Sequence, residues 1–235
     1  GFGLAGYSPA ARLQASACGR SMWVSETSVS CGGGDGGVGG SQGVTVSVGV
    51  QSGTTTLVLS YDAPLVSSAL ALNVPTTGKV GVSVTGVLFG VVDYSPGARV
   101  GGSACGHAAW ESDSGLRCLG LEGIGSVSRL VVSVGEQLGS VSEAVSYDDV
   151  AVSSLVHANA PVTGDTELTL FGARFGVDDY SGRAGVGGTQ CGATLWVDDS
   201  SAVCRVLAGM KGSSSTRLSV AASVGQLTRA LSYDS

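Results

Sequence analysis

Val44-Thr45-Val46-Ser47-Val48, Val80-Gly81-Val82-Ser83-Val84 and Leu130-Val131-Val132-Ser133-Val134 each place an apolar side chain at every second residue. Successive side chains of an extended chain point to opposite sides, so Val and Thr at period two predict strands with one buried face. The runs are short and bounded by Gly, Ser and Asp, and no window carries an apolar stripe at 3.6 residues. The expected fold class is therefore all-β, built of sandwiches, with essentially no long helix. No stretch of eighteen or more apolar residues is present, so no transmembrane helix is expected within this segment.

The pattern repeats. Tyr61, Tyr147 and Tyr233 each sit at the centre of a Ser-Tyr-Asp triplet, and Phe2, Phe89 and Phe175 each precede a Gly. Tyr7, Tyr94 and Tyr180 stand eleven residues before Cys18, Cys105 and Cys191; Trp23, Trp110 and Trp196 follow those cysteines by five. Cys31, Cys118 and Cys204 follow the tryptophans by eight, so every Trp and Cys in the chain fits one template of 86 or 87 residues. Three units are predicted, over residues 1–62, 63–148 and 149–235.

A complete unit opens with a strand at Ala63-Pro64-Leu65-Val66, and a second strand reaches Gly86-Val87-Leu88-Phe89-Gly90. A Cys, a Trp, an acidic-Ser turn and a second Cys follow, and a Val-rich hairpin closes at Ser146-Tyr147-Asp148. This arrangement resembles the IPT/TIG family of immunoglobulin-like sandwiches, found in plexins, hepatocyte-growth-factor-type receptors and fibrocystin-like proteins. The resemblance covers the whole chain and implies tandem immunoglobulin-like sandwiches. Function does not follow, because the family spans receptors, transcription-factor dimerisation modules and appendages of sugar-processing enzymes.

Six cysteines allow fifteen pairings, and the repeat selects Cys18–Cys31, Cys105–Cys118 and Cys191–Cys204. A polar turn lies between the partners in each case, at Glu26-Thr27, Asp113-Ser114 and Asp199-Ser200, so a hairpin brings them opposite one another. Metal ligation is the rival, but a lone Cys pair is a poor site; free buried thiols leave the matched spacing unexplained. Three bridges imply an oxidising, extracellular or cell-surface location. Trp23, Trp110 and Trp196 are expected to pack on the bridges as core aromatics, with a sugar-binding face as the competing role.

Net charge is −6, and the twelve Lys and Arg are scattered, which argues against nucleic acid or an anionic membrane as partner. His107 and His157 occupy unrelated repeat positions, so no catalytic triad can be assembled and the chain is not expected to be an enzyme. Gly39-Gly40-Ser41-Gln42-Gly43 matches a nucleophile-elbow pattern without the strand-to-helix context it needs. Gly32-Gly33-Gly34-Asp35-Gly36-Gly37 lacks the Gly-Lys-Ser/Thr ending of a phosphate loop and reads as a hairpin connection. Asp148-Asp149 lies at a unit boundary where calcium would stiffen the array, but the matching Asp62-Ala63 lacks the second acid. Asp178-Asp179 and Asp198-Asp199 read as turn residues, and no cofactor is expected.

No Asn-x-Ser/Thr sequon occurs among 35 Ser and 15 Thr, so N-glycans are not expected. Thr54-Thr55-Thr56 and Ser213-Ser214-Ser215 are predicted to lie in hairpin turns and to accept O-glycans. Ser8-Pro9 and Ser95-Pro96 recur at one repeat position and resemble dipeptides of plant and algal wall proteins that are glycosylated on Pro.

Gly1-Phe2-Gly3 aligns with Leu88-Phe89-Gly90 and Arg174-Phe175-Gly176, so the first unit lacks the counterpart of Ala63–Val87 and Asp149–Ala173. Either those strands lie upstream in a longer array, or another subunit supplies them. The expected role is a structural fibre, stalk or surface appendage; a ligand-binding receptor or adhesin ectodomain is the alternative. Expected partners are copies of the chain, neighbouring repeats, other extracellular proteins or glycans.

Overall fold

In the computed structural model, which describes residues 1–14, 16–33, 36–70, 73–210 and 212–234, the predicted strands fall into a recurring order. The first repeat contributes β1 (Ala10–Leu13), β2 (Ser16–Ala17), β3 (Arg20–Ser25), β4 (Ser28–Gly32), β5 (Gln42–Val48) and β6 (Gln51–Leu59). The second contributes β7 (Leu65–Leu70), β8 (Asn73–Val74), β9 (Val82–Val87), β10 (Gly97–Val100), β11 (Ser103–Ala104), β12 (His107–Ser112), β13 (Gly115–Leu119), β14 (Ser128–Val134) and β15 (Gln137–Tyr147). The third runs through β16 (Ala151–Val156), β17 (Asn159–Pro161), β18 (Thr166–Ala173), β19 (Arg183–Val186), β20 (Thr189–Gln190), β21 (Ala193–Asp198), β22 (Ser201–Val206), β23 (Gly212–Val220) and β24 (Ser223–Asp234). No helix occurs among the described residues.

The second repeat forms one sheet in the order β12-β13-β9-β7 and another in the order β11-β10-β14-β15-β8. The third repeats this as β21-β22-β18-β16 and β20-β19-β23-β24-β17. Two sheets of this connectivity, each apolar on its inner face, make an immunoglobulin-like sandwich. Leu130, Val132 and Val134 are 0 % exposed on the inner face of β14, as the alternation requires. The strand expected from Val80 opens only at Val82, which pairs with Cys118 near the end of β13; Val80 itself is exposed.

The first repeat has the sheet β2-β1-β5-β6 and the separate pair β3-β4. Among the described residues no strand pairs with the outer edge of β4, where β13 pairs with β9 in the second repeat. All nine residues of β6 are exposed. Val44, Val46 and Val48 on β5 stay half-buried, although their counterparts Leu130, Val132 and Val134 are sealed. Among the described residues 1–62, Ala11 and the Pro9 ring are the buried apolar side chains. One alternation thus gives two outcomes, because burial depends on the facing sheet as well as on the strand.

The Ser-Tyr-Asp triplet has a local explanation. Ser146 Oγ donates to Asn73 Oδ1 at 3.0 Å, and Asn73 Nδ2 donates to the Asp148 carboxylate. Ser232 Oγ and Asp234 hold Asn159 in the same way, Ser232 at 2.7 Å. Each set ties the end of the last strand to the short parallel strand beside it, β8 on β15 and β17 on β24. The intervening tyrosine lies over a glycine: Tyr61 over Gly37, Tyr147 over Gly123 and Tyr233 over Gly209.

Candidate functional site

The disulfides sit at the ends of hairpins. Cys18–Cys31, Cys105–Cys118 and Cys191–Cys204 have Cα–Cα distances of 5.6, 5.5 and 5.7 Å, and the hairpins turn at Glu26-Thr27, Asp113-Ser114 and Asp199-Ser200. Cys118 and Cys204 are 0 % exposed, whereas Cys31 is open to solvent because no strand covers β4. Trp110 packs with Cys105 against the second core, and Trp196 with Cys191 against the third. Trp23 Nε1 and Trp110 Nε1 donate to the carbonyls of Gly3 and Gly90 at 3.2 and 3.1 Å. All three tryptophans are half-buried. The three bridges place the chain in an oxidising environment, outside the cell or on its surface.

Two expectations about modification need correction. Thr54, Thr55 and Thr56 lie within β6 and Ser213, Ser214 and Ser215 within β23, since the hairpin of the first repeat turns at Gly49-Val50 and not at the threonines. The threonines are exposed on the strand, as is Ser213. Pro9 and Pro96 are buried, although Pro96 borders a surface groove of about 540 Å³. The serine before each takes a positive φ, 49° at Ser8 and 54° at Ser95, and so turns the proline inward.

No group of three or more His, Cys, Asp or Glu is placed to hold a metal among the described residues. The boundary acids are engaged with protein groups: Asp148 with Asn73 and with Arg174 at 3.6 Å, Asp149 with Ser223 Oγ at 3.1 Å. Asp198 accepts the Ser200 backbone N–H at 2.8 Å and the hydroxyls of Ser200 and Ser201, which hold its carboxyl below the usual range. Gly34 and Asp35 of the glycine run lie outside the described residues.

What the fold does assemble is a contact between consecutive repeats that sequence reasoning missed. Val38, in the loop after β4, packs against the core of the second repeat and lies beside Gly135 in the turn between β14 and β15. Ile124 occupies the same place after β13 and packs against the core of the third repeat, with Gly125 beside Ala221. Gln137 bridges the first junction: its Nε2 donates to the Tyr61 carbonyl at 2.6 Å, and its Oε1 accepts the Gly39 N–H at 3.2 Å. Ser223 stands in that position in the third repeat, but it accepts the Val150 N–H at 2.9 Å within its own repeat. Thr76 Oγ1 of the second repeat donates to Asp199 Oδ1 of the third at 3.2 Å.

A tyrosine completes each junction. Tyr94 and Tyr180 lie over Gly90 and Gly176, whose φ angles of 104° and 103° are open to glycine and costly for other residues. Tyr94 donates its phenol to the Gly36 carbonyl of the preceding repeat. Burial first, then the charges of Asp178 and of Glu122, the counterpart of Gly36, raise the Tyr180 phenol pKa. The signal available in the sequence was the column Val38, Ile124 and Met210, an apolar residue held in otherwise Gly-rich loops.

With this geometry in hand, the comparisons can be placed. The family model for the IPT/TIG domain matches residues 151–233, which span β16 to β24 apart from the last residue of β24. The third repeat is an IPT/TIG domain. The second repeat has the same nine strands, the same two sheet orders and the same bridge, and so follows the IPT/TIG plan. No curated protein matches the chain in sequence. Among solved structures, the chain is similar to a surface glycan-binding protein of Prevotella bryantii at 14 % identity and TM-score 0.47, covering 72 % of this chain and 42 % of that one. It is similar to the adhesin InvE of Yersinia pseudotuberculosis at 11 % identity and TM-score 0.42, covering 73 % and 59 %. It is also similar to the full extracellular region of plexin A4 at 15 % identity and TM-score 0.38, covering 73 % and 15 %. The chain therefore spans less than two thirds of each of these proteins.

Proposed function

We propose that the chain is a non-catalytic extracellular structural array, part of a fibre, stalk or surface appendage, with repeats at residues 1–62, 63–148 and 149–235. The observation that carries this reading is the recurring junction: an apolar loop residue seated against the next core at both boundaries, joined at the first by a tyrosine reaching back. A contact set made twice restricts bending between neighbours, where a free linker would let them swing. The exposed Thr54, Thr55 and Thr56 remain the best O-glycan acceptors, and a glycan there would be read by mass spectrometry of that peptide. Immunogold electron microscopy of source cells tests the role. Label along filaments or appendages supports it; label confined to the lipid bilayer or to soluble material overturns it.

A second reading, a ligand-binding ectodomain, draws on a groove of about 540 Å³ beside β10 and β12 lined by Asp93, Arg99 and His107. Saturable glycan or protein binding that His107→Ala abolishes would favour it.

A further inference from the structure

In a sandwich the inner face of each sheet meets the core and the outer face meets water, so outward positions are normally polar. The four-stranded sheet β16-β18-β22-β21 of the third repeat departs from this. Its register sets Val156 beside Thr169, Thr169 beside Val203 and Val203 beside Leu195, one row across all four strands. Leu168 and Cys204, next to the row on β18 and β22, are sealed in the core, so the row itself points outward. Val156 is 46 % and Leu195 61 % exposed, and exposed Phe171 and Val197 widen the patch. The second repeat is an internal control. The same row there reads Leu70, Ser83, Arg117 and Ala109, with Thr85 and Glu111 in the places of Phe171 and Val197. The fold therefore does not require an apolar outer face at this sheet. In the next outward row Glu167 on β18 is in register with Arg205 on β22, and both are exposed; the second repeat has Gly81 and Leu119 there. Arg205 Nε donates to Asp165 Oδ1 at 2.6 Å, and a guanidinium has five N–H donors, enough for a second carboxylate.

We propose that this face packs on the same face of a second copy of the chain, about a two-fold axis running along the strands between β18 and β22. Such an axis lays β18 over β22 of the second copy and β16 over its β21. Glu167 of each copy then meets Arg205 of the other, Val156 meets Leu195, and Thr169 meets Val203. The patch is thus complementary to itself in charge as well as in apolar surface, as an isologous contact requires. Sheets packed face to face keep their strands within about 30° of each other, which this axis allows. Rotation about it preserves strand direction, so the two chains lie side by side and point the same way. The pairing goes beyond the array reading and does not depend on it.

Four strands about 4.8 Å apart and about six residues long offer a face of about 400 Å² on each copy. A stable dimer buries about 800 Å² on each side, so the pair is weak and is expected to populate above about 0.1 mM. Sedimentation velocity between about 10 μM and about 1 mM is expected to show a monomer–dimer equilibrium. Leu195→Glu puts a charge into the apolar row and should weaken the dimer at least about tenfold. Glu167→Arg sets Arg against Arg, and Arg205→Glu sets Glu against Glu, so each of these variants alone should stay monomeric. An equimolar mixture of the two restores opposite charges at both contacts and is expected to dimerise like the parent. All three substitutions alter exposed side chains, so circular dichroism and melting temperature should match the parent's. A parent that stays monomeric throughout, any single variant that dimerises like the parent, or a mixture that forms no dimer overturns the pairing and leaves the array reading standing.

Discussion

Gly53, Gly139 and Gly225 occupy one repeat position, on β6, β15 and β24, and replacing each with alanine separates backbone crowding from chain entropy. A Cβ on Gly139 would overlap the Pro64 carbonyl oxygen, where the chain entering β7 crosses β15. That obstacle is backbone and cannot rotate away. Gly139→Ala must push the two strands apart, at about 1–3 kcal/mol for overpacking. Restricting the unfolded chain returns about 0.4–1 kcal/mol, so a net loss of about 1–2 kcal/mol is expected. At Gly225 the nearest atom is the Val150 carbonyl oxygen at 2.9 Å, and a smaller loss is expected. At Gly53 no atom lies within 4 Å, and its φ is outside the left-handed region. Only the entropy term survives there, so Gly53→Ala should stabilise its repeat by about 0.4–1 kcal/mol. Thermal melts with hydrogen exchange read on peptides of each repeat assign the effect, about 4–8 °C per kcal/mol for a domain of this size. If Gly53→Ala destabilises as much as Gly139→Ala, the picture of an uncovered first repeat is wrong.

Phe89→Ala and Phe175→Ala each empty a fully buried site and should cost about 3–5 kcal/mol, whereas the half-buried Phe2 should cost clearly less on the same change; urea unfolding followed by exchange measures both. All three disulfides span the same separation of 13, so each restrains the unfolded chain by about 3 kcal/mol, and only their cover differs. Graded reduction under native conditions should therefore open Cys18–Cys31 first, and alkylation with peptide mapping that finds the three opening together would contradict this. Burial raises the phenol pKa values of Tyr147, Tyr180 and Tyr233 above the ordinary value near 10. Above that pH the unfolded chain releases protons that the folded chain retains, so stability is complete below pH 10 and declines as pH rises past it. Circular dichroism beside tyrosinate absorbance checks the onset, and Tyr147→Phe should make the decline shallower.

Fold and repeat were legible because landmark residues and alternation are local. Cys, Trp and Ser-Tyr-Asp recur at fixed spacing, and each marks a hairpin or a strand end that neighbouring residues form by themselves. The errors came where a side chain's setting depends on a distant strand. Nothing near Pro9 or Pro96 announces that a preceding serine with positive φ turns it inward. Thr54–Thr56 looked like a turn because three threonines are polar, yet Thr is also a good strand former, and β6 runs straight through them. The junction was invisible for a third reason. Val38 and Ile124 are ordinary apolar residues in loops, and only the stacking of one repeat on the next gives them a shared task.

The short parallel strands decide how a repeat would respond to tension. Because β8 lies parallel to β15 and β17 to β24, pulling a repeat by its two ends slides these strands past each other and loads their hydrogen bonds together in shear. The Asn73 and Asn159 clamps sit on that seam and would bear the same load. Once a seam yields, the disulfide shelters only the hairpin it encloses, and the remainder of the repeat can pay out to roughly 250 Å of extended chain.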